Sequence, residues 1–343
     1  MKTLSFAFYG KEALRPFQSE TPDIEPGGVL LRVNGCGICG SDLRMFFDGP
    51  SPRYKLPVVP GHEFTGTVVE VGAEVKDLKP GDVVAVGPLI PCMRCAACGR
   101  GQDNLCENGR VIGVHTPGGL SDHFYMPEQM ARAGAFARYL PGADLSAAAL
   151  TENVACCLHG LRQTEFQPGD SVLIIGNGPI GLTFVQLLRL MGAGRIVVTG
   201  RREKRLRLAE ELGADVVLDA SRYELKQYAG DNSFRPDLAV VAAAAVPESQ
   251  TALDLVRSGG SLLLFSGYPA SSTMPLDLYP FHYGEKHIHG AIDCTLRDFH
   301  DAARLMPQLQ MGKLVTHHFP LREAPEAFRA AREGEAVKVL LEP

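Results

Sequence analysis

The stretch Ser171–Gly181, SVLIIGNGPIG, decides how the second half of this chain folds. Its first five residues have the composition of a buried strand, and they run directly into a G-x-G-x-x-G pattern at Gly176, Gly178 and Gly181. An apolar pattern with helical spacing, Ile180–Met191, follows at once. In this context the first glycine permits a tight turn, the second lets the backbone approach a pyrophosphate, and the third lets the helix pack close to the strand. We therefore predict a dinucleotide site; a glycine-rich turn without a ligand is the alternative.

Apolar runs and helical patterns continue to alternate after this motif. Further strands are predicted at Arg195–Thr199, Val216–Leu218, Leu238–Ala242 and Ser261–Ser266, with a charged amphipathic helix at Arg202–Leu212. This alternation predicts an α/β fold with a parallel, doubly wound, Rossmann-type sheet. Nearer the C-terminus we predict helices at about Leu296–Met311 and near Pro325–Arg332, and a strand at Val337–Leu341.

The chain upstream of this region has a different texture. Residues 1–150 are rich in glycine and proline, and short β-type runs recur at Gly28–Val33, Gly66–Val71 and Asp82–Val86. Turn signals separate these runs, as expected for a domain built from many short strands. The chain has 343 residues, so we expect two domains, and the pattern changes near Glu152.

The overall composition is that of a globular protein. Apolar residues make up 45 % and charged residues 21 %, and the net charge of −5 argues against a basic surface that binds nucleic acid. We find neither a bilayer-spanning stretch nor an export signal, so we expect a cytoplasmic protein with no membrane partner. The cysteines number nine, and their tight C-x2-C spacings favour metal-binding thiols over disulfides.

The end of the second predicted strand bears on the choice of cofactor. NAD sites usually place an acid there to bond the ribose 2′-hydroxyl, whereas this chain has glycine followed by two arginines. Glycine leaves room for a 2′-phosphate and guanidinium groups pair with it, so we predict NADP(H) in preference to NAD(H). The alternative is that Glu203 takes the role of the acid with NAD. The predicted cofactor-binding residues are Gly176, Asn177, Gly178, Pro179, Ile180, Gly181, Thr199, Gly200, Arg201 and Arg202.

Four cysteines lie close together in the first domain. Cys92, Cys95, Cys98 and Cys106 have the spacing C-x2-C-x2-C-x7-C. Four thiolates can hold one tetrahedral zinc ion and leave no open position for a substrate, which predicts a structural site. Four unrelated thiols are the alternative.

A second set of metal-binding residues lies upstream. The motif GCGICGSD at Gly35–Asp42 precedes PGHEFTGTVVEVG at Pro60–Gly72. Thiolate, imidazole and carboxylate suit zinc, although spacing alone does not show that they converge. These two motifs, the four cysteines and the dinucleotide motif stand in the order seen in the zinc-dependent medium-chain alcohol dehydrogenases. The chain resembles that family over nearly its whole length.

The resemblance implies an architecture and an activity. A GroES-like, β-rich catalytic domain would comprise residues 1–153 and 291–343, and a Rossmann-type domain residues 154–290. The expected reaction transfers a hydride between a secondary alcohol (a polyol, sugar, cyclitol or aminocyclitol) and NADP(H), giving the ketone. The family also implies one catalytic and one structural zinc ion per chain and a homodimer or homotetramer.

The resemblance further implies the ligands of the catalytic zinc. Cys39 and His62 are similar to two of them. Glu152 is the candidate third ligand, because its surroundings resemble the E-P-L-A stretch of the polyol branch, where Glu replaces the Cys of simpler alcohol dehydrogenases. The proline of that stretch is Asn153 here. Glu63 is the competing carboxylate, and it could bind the metal in one state and lie behind it in another.

Other residues near these ligands have expected roles. Asp42 is similar to the acid that holds the zinc histidine, and Ser41 resembles the hydroxyl of the family's proton relay. The next relay position, a histidine in the family, is Arg44 here. Arginine stays protonated and cannot shuttle protons, so the proton must leave by another route. We expect buried packing roles, not ligation, for Cys36, Cys156, Cys157 and His159.

The sequence says less about the chemical class of the substrate. Glutamate as third ligand points to polyols, sugars or cyclitols. Asp293 stands where sorbitol-like enzymes have a basic residue, so we hypothesise a substrate amino group; a solvated loop residue is the alternative. Three aromatic residues flank the metal motif: Phe46, Phe47 and Tyr54. In one interpretation they line a substrate pocket. Packing in the hydrophobic core is the alternative for the two phenylalanines.

Two other classes of protein compete with this interpretation. A zinc-free reductase of the same superfamily would have no need of Cys39, His62 and Glu152. A non-enzymatic module that binds through a zinc ribbon is disfavoured by the nucleotide motif and the acidic net charge.

Overall fold

The computed structural model describes residues 2–51, 54–243 and 246–343. It divides into two compact units. Unit 1 comprises Met1–Ala155, Cys294–Pro307 and Met311–Pro343, and unit 2 comprises Cys156–Asp293 and Gln308–Gln310. The predicted domain boundaries, 153/154 and 290/291, differ from these by a few residues, and Asp293 belongs to unit 2.

Strands and helices are distributed along the whole described chain. The strands are β1 (Lys2–Phe8), β2 (Leu14–Glu20), β3 (Val29–Gly37), β4 (Glu63–Val71), β5 (Val83–Val86), β6 (Leu89–Ile90), β7 (Arg110–Val111), β8 (His123–Met126), β9 (Phe136–Tyr139), β10 (Ser171–Ile175), β11 (Arg195–Gly200), β12 (Val216–Asp219), β13 (Leu238–Val241), β14 (Ser261–Leu264), β15 (His287–Gly290), β16 (Val315–Pro320) and β17 (Lys338–Glu342). The helices are α1 (Gly40–Asp48), α2 (Ala96–Gly99), α3 (Glu128–Arg132), α4 (Leu145–Ala148), α5 (Thr151–Arg162), α6 (Pro179–Leu190), α7 (Glu203–Glu211), α8 (Leu225–Asp231), α9 (Val246–Leu255), α10 (Leu278–Tyr283), α11 (Leu296–Leu305) and α12 (Ala324–Glu333).

Unit 2 is a parallel sheet with helices between its strands. The strand order is β12-β11-β10-β13-β14-β15, and every neighbouring pair is parallel. Strand β10 is buried from Val172 to Ile175, as expected for a central strand covered on both faces. The order reverses between β10 and β13, and ligands of such sheets bind at the carboxyl ends of the strands at this switch point. The predicted doubly wound fold is confirmed.

Helix α6 follows β10 after the glycine turn. Gly178 is its N-cap and Pro179 its first residue, a position where the missing N–H of proline costs nothing. The helix is buried from Gly181 to Leu188, which explains its apolar composition. It ends at Leu190, one residue before the predicted end.

Unit 1 is built on a seven-stranded sheet. The strand order is β16-β17-β3-β4-β5-β9, with β8 also paired to β3, and β1 and β2 form a separate hairpin. Strands β3 and β4 are antiparallel, with Gly37 opposite Glu63. Because β3 leads into α1 and β4 begins beside His62, this register brings the two upstream metal motifs together.

The C-terminal part of unit 1 differs in detail from the prediction. The helix expected over Leu296–Met311 ends at Leu305 and gives way to a 3-10 turn at Met306–Gln308, which contains a proline. The side chain of Thr295 caps α11 by accepting a hydrogen bond from the N–H of Asp298. None of the helices in the described ranges has the length and apolarity that crossing a membrane requires.

Candidate active site

The four-cysteine segment forms a compact thiol cluster. One sulfur from each of Cys92, Cys95, Cys98 and Cys106 lies within 4.8 Å of the others. The sulfurs of Cys95 and Cys98 are 3.5 Å apart, and the N–H of Cys92 donates to the sulfur of Cys106 over 3.2 Å. Backbone N–H groups of Cys98 and Glu107 lower the pKa of Cys95 to about 6, which favours the thiolate. These four residues therefore fit a tetrahedral zinc ion with no free position.

A second cluster brings together one thiol, one imidazole and one carboxylate. Ligand atoms of Cys39, His62 and Glu63 lie within 4.8 Å of one another. Cys39 caps α1, and its N–H donates to Asp42 Oδ2 over 3.0 Å, which fixes the start of the helix. His62 and Glu63 are buried at the start of β4, whereas Cys39 is partly exposed.

The surroundings of His62 favour a positive charge. Its Nδ1 lies 4.0 Å from Asp42 Oδ1, too far for a hydrogen bond, and it has no hydrogen-bond partner within the described residues. Burial alone would lower the pKa of His62, but Cys39, Asp42 and Glu152 together raise it well above its ordinary value. A buried imidazole among negative groups, next to a thiol, fits a zinc site.

Two side chains hold the carboxylate of Glu63. Lys338 Nζ donates to Glu63 Oε2 over 2.6 Å, and Asn153 Nδ2 donates to Glu63 Oε1 over 2.9 Å. Burial would raise the pKa of Glu63, but Lys338, His62 and Asn153 lower it, so the group is ionised. Lys338 is charged as well. Burial lowers its pKa, but Glu63 and the other negative groups raise it by more.

Glu152 lies near this cluster but outside it. It is 8 % exposed in the first turn of α5, and its charge contributes to raising the pKa of both His62 and Lys338. Among the described residues, however, the compact three-ligand cluster contains Glu63. Two carboxylates are therefore available to the metal, and the choice between them depends on what holds Glu63.

The glycine turn of unit 2 has the geometry of a phosphate-binding turn. Gly176 has φ +114°, a conformation that other residues rarely adopt. A Cβ atom on Gly181 would lie 1.8 Å from the carbonyl oxygen of Gly176, so only glycine fits there. The space beside Gly178 is open, which leaves room for a ligand at the N-terminus of α6.

A cavity of about 720 Å³ extends from this turn. It is lined by the turn itself, by Thr199 and Gly200 at the end of β11, by the carboxylates of Glu224 and Glu248, and by several basic groups. These basic residues are Arg201, Arg202, Arg205 and Lys226.

An acid at position 200 would have to displace the side chain of Asn177. A Cβ atom on Gly200 would lie 2.2 Å from Asn177 Cγ, because the Asn177 side chain crosses this position and donates to the carbonyl of Arg202 over 2.9 Å. Burial and the charge of Arg202 lower the pKa of Arg205. Glu203, the alternative acid, lies 3.4 Å from Arg207 and is not among the lining residues.

Comparison with known proteins decides the family. Residues 25–134 match the family described as alcohol dehydrogenase GroES-like domain, and residues 179–308 match the family described as zinc-binding dehydrogenase. A sorbitol dehydrogenase of Macaca fascicularis is 33 % identical, over 99 % of this chain and 96 % of its own length. The chain belongs to the zinc-dependent medium-chain alcohol dehydrogenases.

Two further relatives agree with this assignment. A D-arabitol-phosphate dehydrogenase of Enterococcus avium is 31 % identical, over 100 % of this chain and 97 % of its own. A zinc-binding dehydrogenase from Sinorhizobium meliloti 1021, solved with NADP bound, is 28 % identical with a TM-score of 0.93 and full coverage of both chains. The protein is therefore an alcohol dehydrogenase of the polyol branch of this family, which uses zinc and a nicotinamide cofactor.

The remaining four cysteines lie outside the two ligand clusters found among the described residues. Cys36, Cys156 and Cys157 are buried, and burial raises the pKa of Cys36 well above its ordinary value. Cys157 Sγ lies 3.8 Å from the carbonyl oxygen of Ile180 in unit 2. These thiols pack as expected from the sequence.

The aromatic residues near the metal motif require a correction. Phe46 is 1 % exposed and packs against Phe8 and Phe328, with ring centroids 6.0 and 5.2 Å away. Phe46 is therefore a core residue and does not line a pocket. The guanidinium carbon of Arg332 lies 4.1 Å from the centroid of the Phe47 ring. Tyr54 is partly buried against the same core as Phe46.

Three residues at the sites were missed by sequence reasoning. Lys338 stands in an apolar terminal strand, where a buried lysine needs a carboxylate partner. A lysine in this position was therefore a sequence signal for a buried ion pair. Arg205 lies on α7, three residues after the N-cap residue Arg202, and both line the cavity. The contact of Asn153 with Glu63 spans 90 residues, and no local pattern indicates it.

Proposed function

We propose that this protein interconverts a secondary hydroxyl group of a polyol, sugar or cyclitol and the corresponding ketone, with NADP(H) as the hydride carrier. The observation that supports this most directly is the buried cluster of Cys39, His62 and a carboxylate in a chain that also has an arginine-lined dinucleotide cavity. The names of the sorbitol and arabitol-phosphate dehydrogenases to which the chain is similar support a polyol substrate.

We propose one catalytic and one structural zinc ion per chain. Cys39, His62 and Glu152 would hold the catalytic ion, with Glu63 as the alternative ligand, and the four-cysteine lobe would hold the structural one. When bound, a zinc ion with three protein ligands supplies Lewis-acid chemistry that lowers the pKa of a substrate hydroxyl.

The residues around the metal position handle orientation and the proton. Asp42, fixed by the N–H of Cys39, faces His62 Nδ1 and would keep the imidazole in one orientation. Ser41 in the first turn of α1 is the hydroxyl that can pass a proton outward. Arg44 lies three residues on and is exposed, so water at this helix surface would take the proton.

The cofactor preference rests on the cavity in unit 2. Asn177 occupies the space that an acid at position 200 would need, and Arg201, Arg202 and Arg205 concentrate positive charge at the cavity wall. A carboxylate would bond the 2′-hydroxyl of NAD, whereas guanidinium groups pair with the 2′-phosphate of NADP. Glu248 lies 3.8 Å from Arg201 and would give up that contact to a phosphate.

A rate survey tests the proposal. Purified protein is assayed with a panel of polyols, cyclitols, amino sugars and simple alcohols, each with NADP⁺ and with NAD⁺, by following nicotinamide absorbance. We expect turnover of at least one polyol class, with NADP⁺ preferred. A protein without zinc that reduces enones or quinones and oxidises no alcohol would instead be a zinc-free reductase.

A substrate amino group stays a second hypothesis. Asp293 has φ +52°, a left-handed conformation that Asp and Asn tolerate better than most residues, so backbone geometry is a second reason for an aspartate here. Asp293→Asn keeps this tolerance and removes only the charge. A rise in KM confined to amino substrates would support the hypothesis, and an unchanged KM would end it.

The subunit number is also a proposal from the family. We expect a homodimer or homotetramer, and light scattering of the purified protein would measure it.

A further inference from the structure

The side chain of Asn177 joins two parts of unit 2 that face the cofactor cavity. Asn177 is the middle residue of the turn between β10 and α6, and it is only 6 % exposed. Its Nδ2 donates to the carbonyl of Arg202, 25 residues along the chain, over 2.9 Å. The turn precedes the first residue of α6, and Arg202 is the N-cap of α7. One buried amide therefore connects the starts of two helices.

Helix α7 depends on this contact at its first turn. Arginine is not a capping residue, and within the described part of the chain the side chain of Arg202 makes no cap hydrogen bond. The carbonyl of Arg202 accepts from the N–H of Leu206 over 3.0 Å, the first hydrogen bond of the helix, and also from Asn177 Nδ2. Asn177 thus ties the segment that carries Arg202 and Arg205 to the glycine turn.

The same side chain covers Gly200 at the end of β11. A Cβ atom on Gly200 would overlap Asn177, whose Cγ, Oδ1 and Nδ2 are the three atoms nearest to it. Gly200 lies in a strand and outside the left-handed region of φ, so its backbone conformation suits other residues. The amide of Asn177, and not the backbone, therefore keeps this position small.

NADP has two phosphate groups that these elements would meet. The pyrophosphate would lie at the N-terminus of α6, and the 2′-phosphate would pair with the arginines at the start of α7. One ribose joins the two groups, so their separation in the cofactor is limited. A site that already holds its two phosphate-binding elements at a matching separation loses less free energy on binding than one that must order them.

We propose that Asn177 is a positioning residue for cofactor selection: it holds the start of α7 at a fixed distance from the glycine turn and excludes an acidic side chain from position 200. This inference rests on the proposed NADP preference, and it adds the residue through which that preference acts. It predicts that Asn177 matters most for a ligand that carries both phosphates, because such a ligand uses both elements at once.

The first test compares two fragments of the cofactor by competition against NADPH fluorescence. Adenosine 2′,5′-bisphosphate carries both phosphates, whereas adenosine 5′-phosphate carries only the group that meets the glycine turn. We expect Asn177→Ala to weaken binding of the bisphosphate about tenfold and binding of the monophosphate less than about threefold. Asn177→Leu removes the donor and keeps most of the volume, and it should show the same selective loss if Asn177→Ala does not fold.

A second asparagine of unit 2 supplies the control. Asn232 Nδ2 donates to the carbonyl of Tyr228 over 2.9 Å at the end of α8, and Asn232 is not among the residues that line the cavity. Asn232→Ala removes the same kind of hydrogen bond and should change the affinity for neither fragment.

The second test uses no ligand and measures the coupling between positions 177 and 200. Gly200→Ala is introduced into the wild-type protein and into Asn177→Ala, and each protein is unfolded in urea. Gly200→Ala should lower the urea midpoint of the wild-type protein, because the new Cβ displaces the amide. In the Asn177→Ala background the same change should lower the midpoint less or not at all.

Failure of the role of Asn177 differs from failure of the NADP preference. A wild-type protein that binds the bisphosphate no more tightly than the monophosphate would contradict the NADP preference, and the role of Asn177 would fall with it. A wild-type preference that survives in both Asn177 variants would overturn the role of Asn177 and leave the NADP preference standing. An equal loss for both fragments, a similar loss in Asn232→Ala, or a Gly200→Ala effect that is the same in both backgrounds would also overturn that role.

Discussion

Removing the arginines of the cofactor cavity should change which nicotinamide cofactor the enzyme prefers. The perturbation is Arg202→Ala, Arg205→Ala and the double variant. Introducing an acid by Gly200→Asp would be a poorer experiment, because Asn177 fills that position and would have to move. Removing an arginine charge leaves the glycine turn intact. It should weaken binding of the 2′-phosphate of NADP and leave binding of the 2′-hydroxyl of NAD unchanged.

The structure sets the size of the effect. A hydrogen bond to a charged group contributes about 1.5–3 kcal/mol. Arg202 is exposed, so the lower end applies and the preference should fall about tenfold, since 1.4 kcal/mol is a factor of ten. Arg205 is partly buried, and about 2 kcal/mol gives about 30-fold. The two line the same cavity and would share one phosphate, so their effects should not add fully, and we expect roughly 100-fold for the pair.

The assay is kcat/KM for NADP⁺ and for NAD⁺ at saturating alcohol and constant ionic strength, expressed as a ratio. Arg207→Ala is the matched control, because Arg207 lies on the same helix but pairs with Glu203 away from the cavity. An unchanged ratio in the double variant, or an equal fall in the control, would refute the reasoning. A selective loss of NAD activity in Glu203→Ala would favour the acid at that position instead.

Three further perturbations have definite expected outcomes. Asp237 accepts hydrogen bonds from both the N–H and the hydroxyl of Ser171, and these bonds, opposing the effect of burial, hold its pKa below the ordinary value. The carboxylate of Asp237 therefore stabilises the fold above the ordinary aspartate pKa, and this stabilisation is lost as pH falls through the lowered pKa. Asp237→Asn should lower the free energy of unfolding in urea by about 2 kcal/mol at neutral pH, and this difference from the wild-type protein should shrink below about pH 4. A difference that stays constant with pH would contradict this explanation. Cys98→Ser should lower the zinc content by about one ion per chain, and the folded protein should still oxidise polyols. Loss of both ions would show that the two clusters do not bind zinc independently. Gly181→Ala forces a Cβ onto the carbonyl oxygen of Gly176 and should weaken NADP binding at least about tenfold by calorimetry; an unchanged Kd would rule out the turn as the phosphate site.

The Rossmann-type unit could be predicted from sequence because its signals are local. Strand β10 has the predicted bounds, and α6 begins one residue before the predicted start, since the glycine turn marks both ends. Strand β15 was missed because three of its four residues, HIHG, are not apolar. It forms by pairing with β14 at the edge of the sheet, and that tertiary cause leaves no local pattern.

The metal site could be predicted only in part. Cys39 and His62 stand in short motifs that carry their own signal. The contacts that hold Glu63 come from positions 90 and 275 residues away: Asn153 comes from helix α5, and the register of β3, β4 and β17 brings Lys338. Phe46 was ambiguous for a similar reason, because its burial depends on Phe8 and Phe328 from distant segments.

The central claim is that chemistry belongs to the buried cluster around Cys39 and His62, and not to the four-cysteine lobe. The most direct measurement is the zinc content of His62→Ala, determined together with alcohol oxidation and NADP binding. We expect a loss of about one zinc ion per chain and a fall in kcat of at least about 1,000-fold, with NADP binding retained. A His62→Ala protein that keeps all its zinc, or that loses one ion and still oxidises alcohol at the wild-type rate, would contradict it.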